Sequence, residues 1–149
     1  MKLFVLRTSG RAQHGAILVE FALVAPIFLM LLFGIIELGR ALWTQHALHQ
    51  TAIAGARCMA LPQSACASAV SYIYDATKTM TYIQQVANQW GLLLSHSDII
   101  QNNAANCGGL SGFSEVSVAI IFRSVVPQLL KLPGGGLPLT ATACFPNNS

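Results

Sequence analysis

The sequence predicts a membrane-anchored α+β protein. The first half of a long N-terminal helix crosses the membrane, and a small exported domain combines a second helix with an antiparallel β-hairpin or small sheet. Three observations lead to this prediction: a long apolar run near the N-terminus, a scarcity of charge, and strand-like alternation in the last third. Charged residues make up 9% of the 149 positions, against about a quarter in ordinary soluble proteins. With 54% hydrophobic residues, the composition points first to a membrane segment.

The apolar run has the length of a membrane span. Residues 21–36 carry no charge, and the run counted from Ala16 is interrupted only by Glu20. At about 1.5 Å per residue, a helix from Ala16 to Ile36 is about 31 Å long, close to the thickness of one hydrocarbon core. We therefore expect a basic leader, a transmembrane helix, an exported continuation of that helix and a small α+β domain, over residues 1–15, 16–38, 39–61 and 62–149 respectively.

The residues that flank the run predict its orientation. Basic residues cluster before it, at Lys2, Arg7 and Arg11. The positive-inside rule then places the N-terminus in the cytoplasm and the C-terminal domain in the periplasm, as in a single-pass protein of the bacterial inner membrane. Three residues after the run suit the membrane interface. Glu37 and Arg40 can pair on one helix face, and Trp43 belongs to an interfacial belt.

Two other interpretations of the run are weaker. A cleaved secretory signal peptide normally has an apolar core of about 7–15 residues and a small-x-small cleavage site. Here the core is longer and the bulky stretch ELGRALW follows it. A buried core helix would show a polar face, which this run lacks.

Glu20 is the unusual residue of the run. One interpretation is that its carboxylate simply reaches the headgroups and that the span starts at Phe21. The other is that Glu20 has a partner, because an acid within a membrane segment usually marks a functional site.

The residues around Glu20 favour the second interpretation. Gly15-Ala-Ile-Leu-Val-Glu20-Phe21, directly after a basic leader, resembles the type IV prepilin processing motif. The longer segment GAILVEFALVAPIFLMLLFGIIELGRAL resembles the N-terminal signature of TadE-like proteins, which are pseudopilins or minor pilins of the tight-adherence (Tad, Flp) pilus system. The Ala-Gly-Ala-Arg element at residues 54–57 also looks typical of that family, whereas residues 62–112 match nothing that we can name.

The resemblance implies a function in pilus assembly. A membrane-embedded aspartic prepilin peptidase would cut between Gly15 and Ala16, and Glu20 would pair with the new α-amine of a neighbouring subunit. The implied partners are this peptidase, other pilins or pseudopilins, Tad assembly proteins and inner-membrane lipid. The alternative is an unprocessed, membrane-anchored binding module that displays its periplasmic domain to a ligand or an envelope protein.

A second helix is expected over residues 67–90, because a stripe of side chains recurs there every three or four positions. The members of this stripe are Tyr72, Ala76, Thr79, Ile83, Val86 and Trp90. Gly91 is expected to end the helix. We interpret the stripe as a surface that packs against the first helix rather than as a groove for a partner.

Two strands are expected over residues 114–122 and 137–145, where apolar residues alternate with small or polar ones. The polar stretch 101–112 is typical of a loop, and LPGGG at residues 132–136 is typical of a turn. Because a two-stranded hairpin is only marginally stable alone, these strands must pack against the helices.

All four cysteines follow the span, in the oxidising compartment, so two disulfides are expected among three possible pairings. We favour Cys58–Cys66 with Cys107–Cys144. A straight helix would hold positions 58 and 66 about 12 Å apart, which is too far for a bridge, so the chain must turn near Pro62.

The sequence provides little support for catalysis or metal binding. A metal site would have to combine cysteines with His46, His49 or His96, and no C-x2-C pair is present. No G-x-S-x-G, P-loop or H-E-x-x-H motif occurs, and we interpret the cluster at residues 95–98 (Ser-His-Ser-Asp) as a chance grouping. The basic residues are scattered and form no nucleic-acid footprint. We predict a non-enzymatic protein with no cofactor and no metal.

Overall fold

The computed structural model describes residues 10–61, 63–68, 73–124 and 136–147. The chain divides into two compact units, Met1–Gly39 and Arg40–Ser149. Several residues named above lie outside these ranges. They are Lys2, Arg7, Pro62, Tyr72 and most of the turn at 132–136, and the structure describes only the backbone of Arg11.

The first helix, α1, runs from Gly10 to Ala60 and contributes to both units. Pro26 lies within it, as expected for a proline in an apolar helix, where it removes one hydrogen bond without ending the element. The Leu61 amide still donates to the Arg57 carbonyl at 3.0 Å, which closes the last turn. The long helix predicted from the sequence is therefore present, but it begins at Gly10, within the expected leader, rather than at Ala16.

The second helix, α2, runs from Ala76 to Gln89, so the expectation that it begins at residue 67 is wrong. The Ser68 amide donates to the Ile73 carbonyl, and the Asp75 amide donates to the Cys66 carbonyl, so the chain folds back on itself before the helix. The Asp75 carboxylate then caps the helix by accepting from the amides of Thr77 at 2.9 Å and Lys78 at 3.1 Å.

The expected stripe on α2 is partly correct. Thr79 and Ile83 are buried, whereas Ala76 is exposed, and Ala87 takes the buried position that the pattern assigned to Val86. The helix stops as predicted, because Gly91 adopts a positive φ of 78°, which favours glycine.

Three strands form one antiparallel sheet in the order β1-β2-β3: Ile99–Cys107, Leu110–Phe122 and Leu137–Pro146. The strands expected at 114–122 and 137–145 are confirmed. The loop expected over 101–112 is wrong, since most of it is β1 and the tight turn into β2. The turn contains Gly108 and Gly109, both at positive φ.

The core of the unit Arg40–Ser149 lies between the two helices and one face of the sheet. Its largest fully buried apolar side chains come from all three parts of this unit: Leu48 on α1, Ile83 on α2, and Val116 and Val118 on β2. The helices remove the apolar face of the sheet from water, and this burial stabilises the unit.

Both disulfides join the pairs that the sequence favoured. Cys58–Cys66 connects the end of α1 to the segment after it, with a Cα–Cα distance of 5.8 Å. Cys107–Cys144 joins β1 to β3 across 37 positions of sequence. Because α1 ends at Ala60, the chain is free to turn and bring positions 58 and 66 together.

Candidate functional site

The unit Met1–Gly39 presents an apolar helical surface with almost no cover. Every large hydrophobic side chain from Ile17 to Leu38 is exposed, most of them by half or more. An 18-residue window of this helix reaches a mean hydropathy of 2.5 with none of it buried. Of the described residues, α1 alone has the length and composition to cross a membrane. A surface this large and apolar requires lipid or another protein around it.

Gly15 lies on α1 with open space around it. A Cβ added there would meet nothing within 4 Å, and the same holds for Gly34 farther along the helix. Packing against the described residues therefore does not require glycine at position 15. The side chain of Ala16, on the other side of the expected cleavage point, lies outside the description.

Glu20 and Phe21 follow on the same helix. Both side chains are exposed, Phe21 by 70%. Glu20 lies four positions after Ala16, which is about one helical turn and about 6 Å of rise. The structure therefore places an exposed carboxylate on an uncovered apolar surface, five positions after a glycine with open space around it.

Residues 15–57 match the family model described as TadE-like protein. Over these residues the first helix is similar to TadE-like proteins. The TadE-like segment begins at Gly15 and contains Glu20 and Phe21, and it extends beyond the apolar run into the part of α1 that packs in the domain core. It also contains the Ala-Gly-Ala-Arg element at 54–57. The match is consistent with a TadE-like protein of Tad pilus systems and confirms the resemblance seen in the sequence. No curated protein and no solved structure gives a significant match to the chain.

The three residues expected at the membrane interface lie on α1 in different surroundings. Glu37 is half-buried within the unit Met1–Gly39. The Arg40 guanidinium stacks over the Phe122 ring, 5.5 Å from its centroid. Such a cation–π contact is worth about 0.5–1 kcal/mol at an exposed site. The contact with Phe122 was not predicted from the sequence, because it joins residues that are distant along the chain.

Trp43 belongs to an aromatic cluster. Its ring meets the Trp90 ring edge-on, with 5.8 Å between centroids, and His46 meets the same Trp90 ring at 5.9 Å. Trp90 was expected in a packing stripe on α2, and the structure gives it this contact with α1. The histidine that sequence reasoning considered as a metal ligand instead packs against an aromatic ring.

The cysteine sulfurs are not available as metal ligands in this state. Cys107, Glu115 and Cys144 bring their ligand atoms within 4.8 Å of one another. However, both cysteines are joined in the disulfide, and thiolates are the form that binds metal. The cluster at residues 95–98 also has a structural explanation, because the Asp98 carboxylate accepts from the Ser95 amide at 2.8 Å and closes a short 3₁₀ turn.

Proposed function

We propose that the chain is a TadE-like minor pilin or pseudopilin that acts in the assembly of a Tad/Flp pilus. The observation that carries this proposal is the combination of an uncovered apolar helix with a TadE-like match that starts at Gly15. A pilin-type helix has to be apolar all round because it lies first in lipid and then among other subunits. The TadE-like family is structural rather than enzymatic, which agrees with the absence of catalytic motifs in the sequence.

We further propose that a prepilin peptidase removes residues 1–15. The open space at Gly15 supports this, because no described residue packs where a side chain at this position would lie. The small size of the residue is then explained by the requirements of the peptidase. After cleavage, Glu20 would lie near the start of a helix, where its negative charge is favoured by the helix dipole. The α-amine of Ala16 in a neighbouring subunit would be its partner in the assembled bundle.

The proposed location is the bacterial inner membrane. The leader would be cytoplasmic, α1 would cross the bilayer over residues 16–38, and the unit with both disulfides would be periplasmic. The support is the excess of basic residues before the run and the presence of two disulfides after it, in a compartment where they form. The proposed partners are lipid, the peptidase, other pilins or pseudopilins and Tad assembly proteins.

The test is the mass of the mature chain from membranes of cells with and without the peptidase. Processing predicts a chain that begins at Ala16 only when the peptidase is present, and Gly15→Val should block the change. Gly34→Ala is the matched control, because Gly34 lies in equally open space on the same helix and should not affect cleavage. A chain that keeps Met1 while the peptidase processes its other substrates would remove the processing claim. That result would favour an unprocessed membrane-anchored binding module.

A further inference from the structure

Within the unit Arg40–Ser149, three contacts show that β2 runs antiparallel to α1. Arg40 meets Phe122 at the end of β2. The Gln45 side-chain amide donates to the carbonyl of Thr140, which pairs with Ala119 of β2. Farther along, a Cβ on Gly55 would lie 3.3 Å from Val116. The end of β2 at Phe122 therefore lies at the same end of this unit as Arg40.

Helix α2 also returns to this end. Ile83, in the middle of α2, lies against Gly55, while Trp90, the C-cap residue directly after Gln89, lies against Trp43. The loop after α2 is therefore at the same end. We call this part of the unit the Arg40 end and define it by Arg40, Trp43, Trp90, Leu93 and Phe122.

The loop at residues 90–94 is held by hydrogen bonds to α2, and it presents one leucine outwards. The Leu92 amide donates to the Ala87 carbonyl at 2.9 Å, and the Gln84 side chain donates to the Leu94 carbonyl at 3.0 Å. Leu94 is buried and Leu92 packs against the core, whereas Leu93 is 89% exposed. Leu93 is therefore exposed although the residues on both sides of it, Leu92 and Leu94, are held against the rest of the unit.

The chemistry of the Arg40 end is that of a membrane interface. Trp43 is 59% exposed, and it lies beside Trp90. Indole rings concentrate at the headgroup level, because they combine an apolar body with one hydrogen-bond donor. Arg123, directly after β2, adds an exposed basic side chain that suits lipid phosphates. Arg40 follows Ile36, the last residue of the uncharged run, by four positions.

We propose that the loop at residues 90–94 docks into the headgroup layer of the membrane that α1 crosses, with Leu93 as its deepest side chain. This inference rests on the proposed insertion of α1. The exported unit is then attached to the bilayer at two places, the helix and this loop, so its orientation over the membrane is fixed before assembly. Entry into a fibre requires the loop to leave the lipid.

The chain has two tryptophans, so Trp43→Phe makes Trp90 the only tryptophan emitter. The full chain carrying this substitution is reconstituted in vesicles of phosphatidylethanolamine and phosphatidylglycerol. Lipids brominated near the headgroup should reduce Trp90 emission by about twofold, and aqueous iodide should quench it weakly. Leu93→Asn, added to Trp43→Phe, should weaken the quenching by bromolipid and increase the quenching by iodide.

Leu110→Asn is the matched control for Leu93→Asn. Leu110 is also well exposed, at 66%, but it lies at the other end of β2 from Phe122, so its substitution should not change the quenching. The proposal is overturned if the chain floats with the vesicles while Trp90 is quenched freely by iodide and not by bromolipid. If Trp90 is protected from iodide but is not quenched by bromolipid, and the protection disappears on dilution, a second copy of the chain covers the loop. That result would also overturn the proposal. A chain that fails to float would remove the insertion of α1 and this proposal with it.

Discussion

Gly55 of α1 and Ile83 of α2 are in direct contact, so close that a Cβ added to Gly55 would lie 2.8 Å from the Ile83 Cγ1 atom. Ile83 is fully buried and has little freedom to move away. This contact gives a physical reason for the glycine in the Ala-Gly-Ala-Arg element, which the sequence showed only as a family-like feature. The two helices can approach this closely only where one of them lacks a side chain.

The first prediction concerns this contact. Gly55→Ala should lower the free energy of unfolding by about 1–3 kcal/mol, because the added methyl group overpacks the core. The gain in helix propensity of up to about 1 kcal/mol offsets part of this loss. Thermal unfolding of the full chain in detergent, followed by circular dichroism, measures it. Gly39→Ala is the control on the same helix, where a Cβ meets nothing within 4 Å. Equal stability of the two variants would contradict the close packing.

The second prediction concerns Glu20. Glu20→Ala and Glu20→Gln should both leave cleavage after Gly15 intact and reduce pilus assembly, because the proposed pairing with an α-amine requires a negative charge. Electron microscopy of pili, with the mature chain quantified by mass spectrometry, separates the two steps. Glu20→Asp keeps the charge and should restore part of the assembly. Normal piliation with Glu20→Gln would rule out an ion pair.

The third prediction is the order in which the disulfides are reduced. Cys144 is exposed and Cys107 is half-buried, whereas Cys58 and Cys66 are each only 1% exposed. Since thiol exchange requires access to a sulfur atom, the Cys107–Cys144 bond should be reduced faster, by on the order of tenfold, under native conditions. Alkylation of the released thiols at successive times, followed by peptide mass spectrometry, gives the order. Reduction of both bonds at one rate would show that reduction proceeds through unfolding of the whole unit.

The fourth prediction concerns alkaline pH. Burial raises the pKa of the Tyr74 hydroxyl above the ordinary value of about 10, and the negative charge of Asp75 raises it further. The folded state therefore disfavours the phenolate. The resulting stability is fully present below pH 10 and is lost as the pH rises through the raised pKa. Tyr74→Phe should reduce this alkaline loss.

Absorbance at 295 nm follows the titration of the tyrosines. In the folded protein one component should titrate above the ordinary range, and it should be missing from Tyr74→Phe. Tyr82→Phe is the control, because it also removes one tyrosine hydroxyl, from α2. If the component that titrates above the ordinary range persists in Tyr74→Phe, it belongs to another residue.

The sequence by itself determined the features that depend on local pattern. The uncharged run predicted a long helix because its length and composition are properties of consecutive residues, and Gly91 predicted the stop of α2 because positive φ favours glycine. Alternation predicted β2 and β3 for the same reason. The disulfide pairing was favoured on the ground that a proline close to Cys58 would break the helix and permit a turn.

Only the tertiary structure decided the features that depend on residues far apart in sequence. β1 was missed because its asparagines resemble a loop. Backbone pairing with β2 makes it a strand, through a register that shifts between Asn102 and Cys107. The start of α2 was misplaced because the carboxylate of Asp75, not the apolar stripe, sets its first turn. The contact of Gly55 with Ile83 and the outward presentation of Leu93 required both helices to be packed. Their physical basis is close approach and burial, which no local pattern encodes.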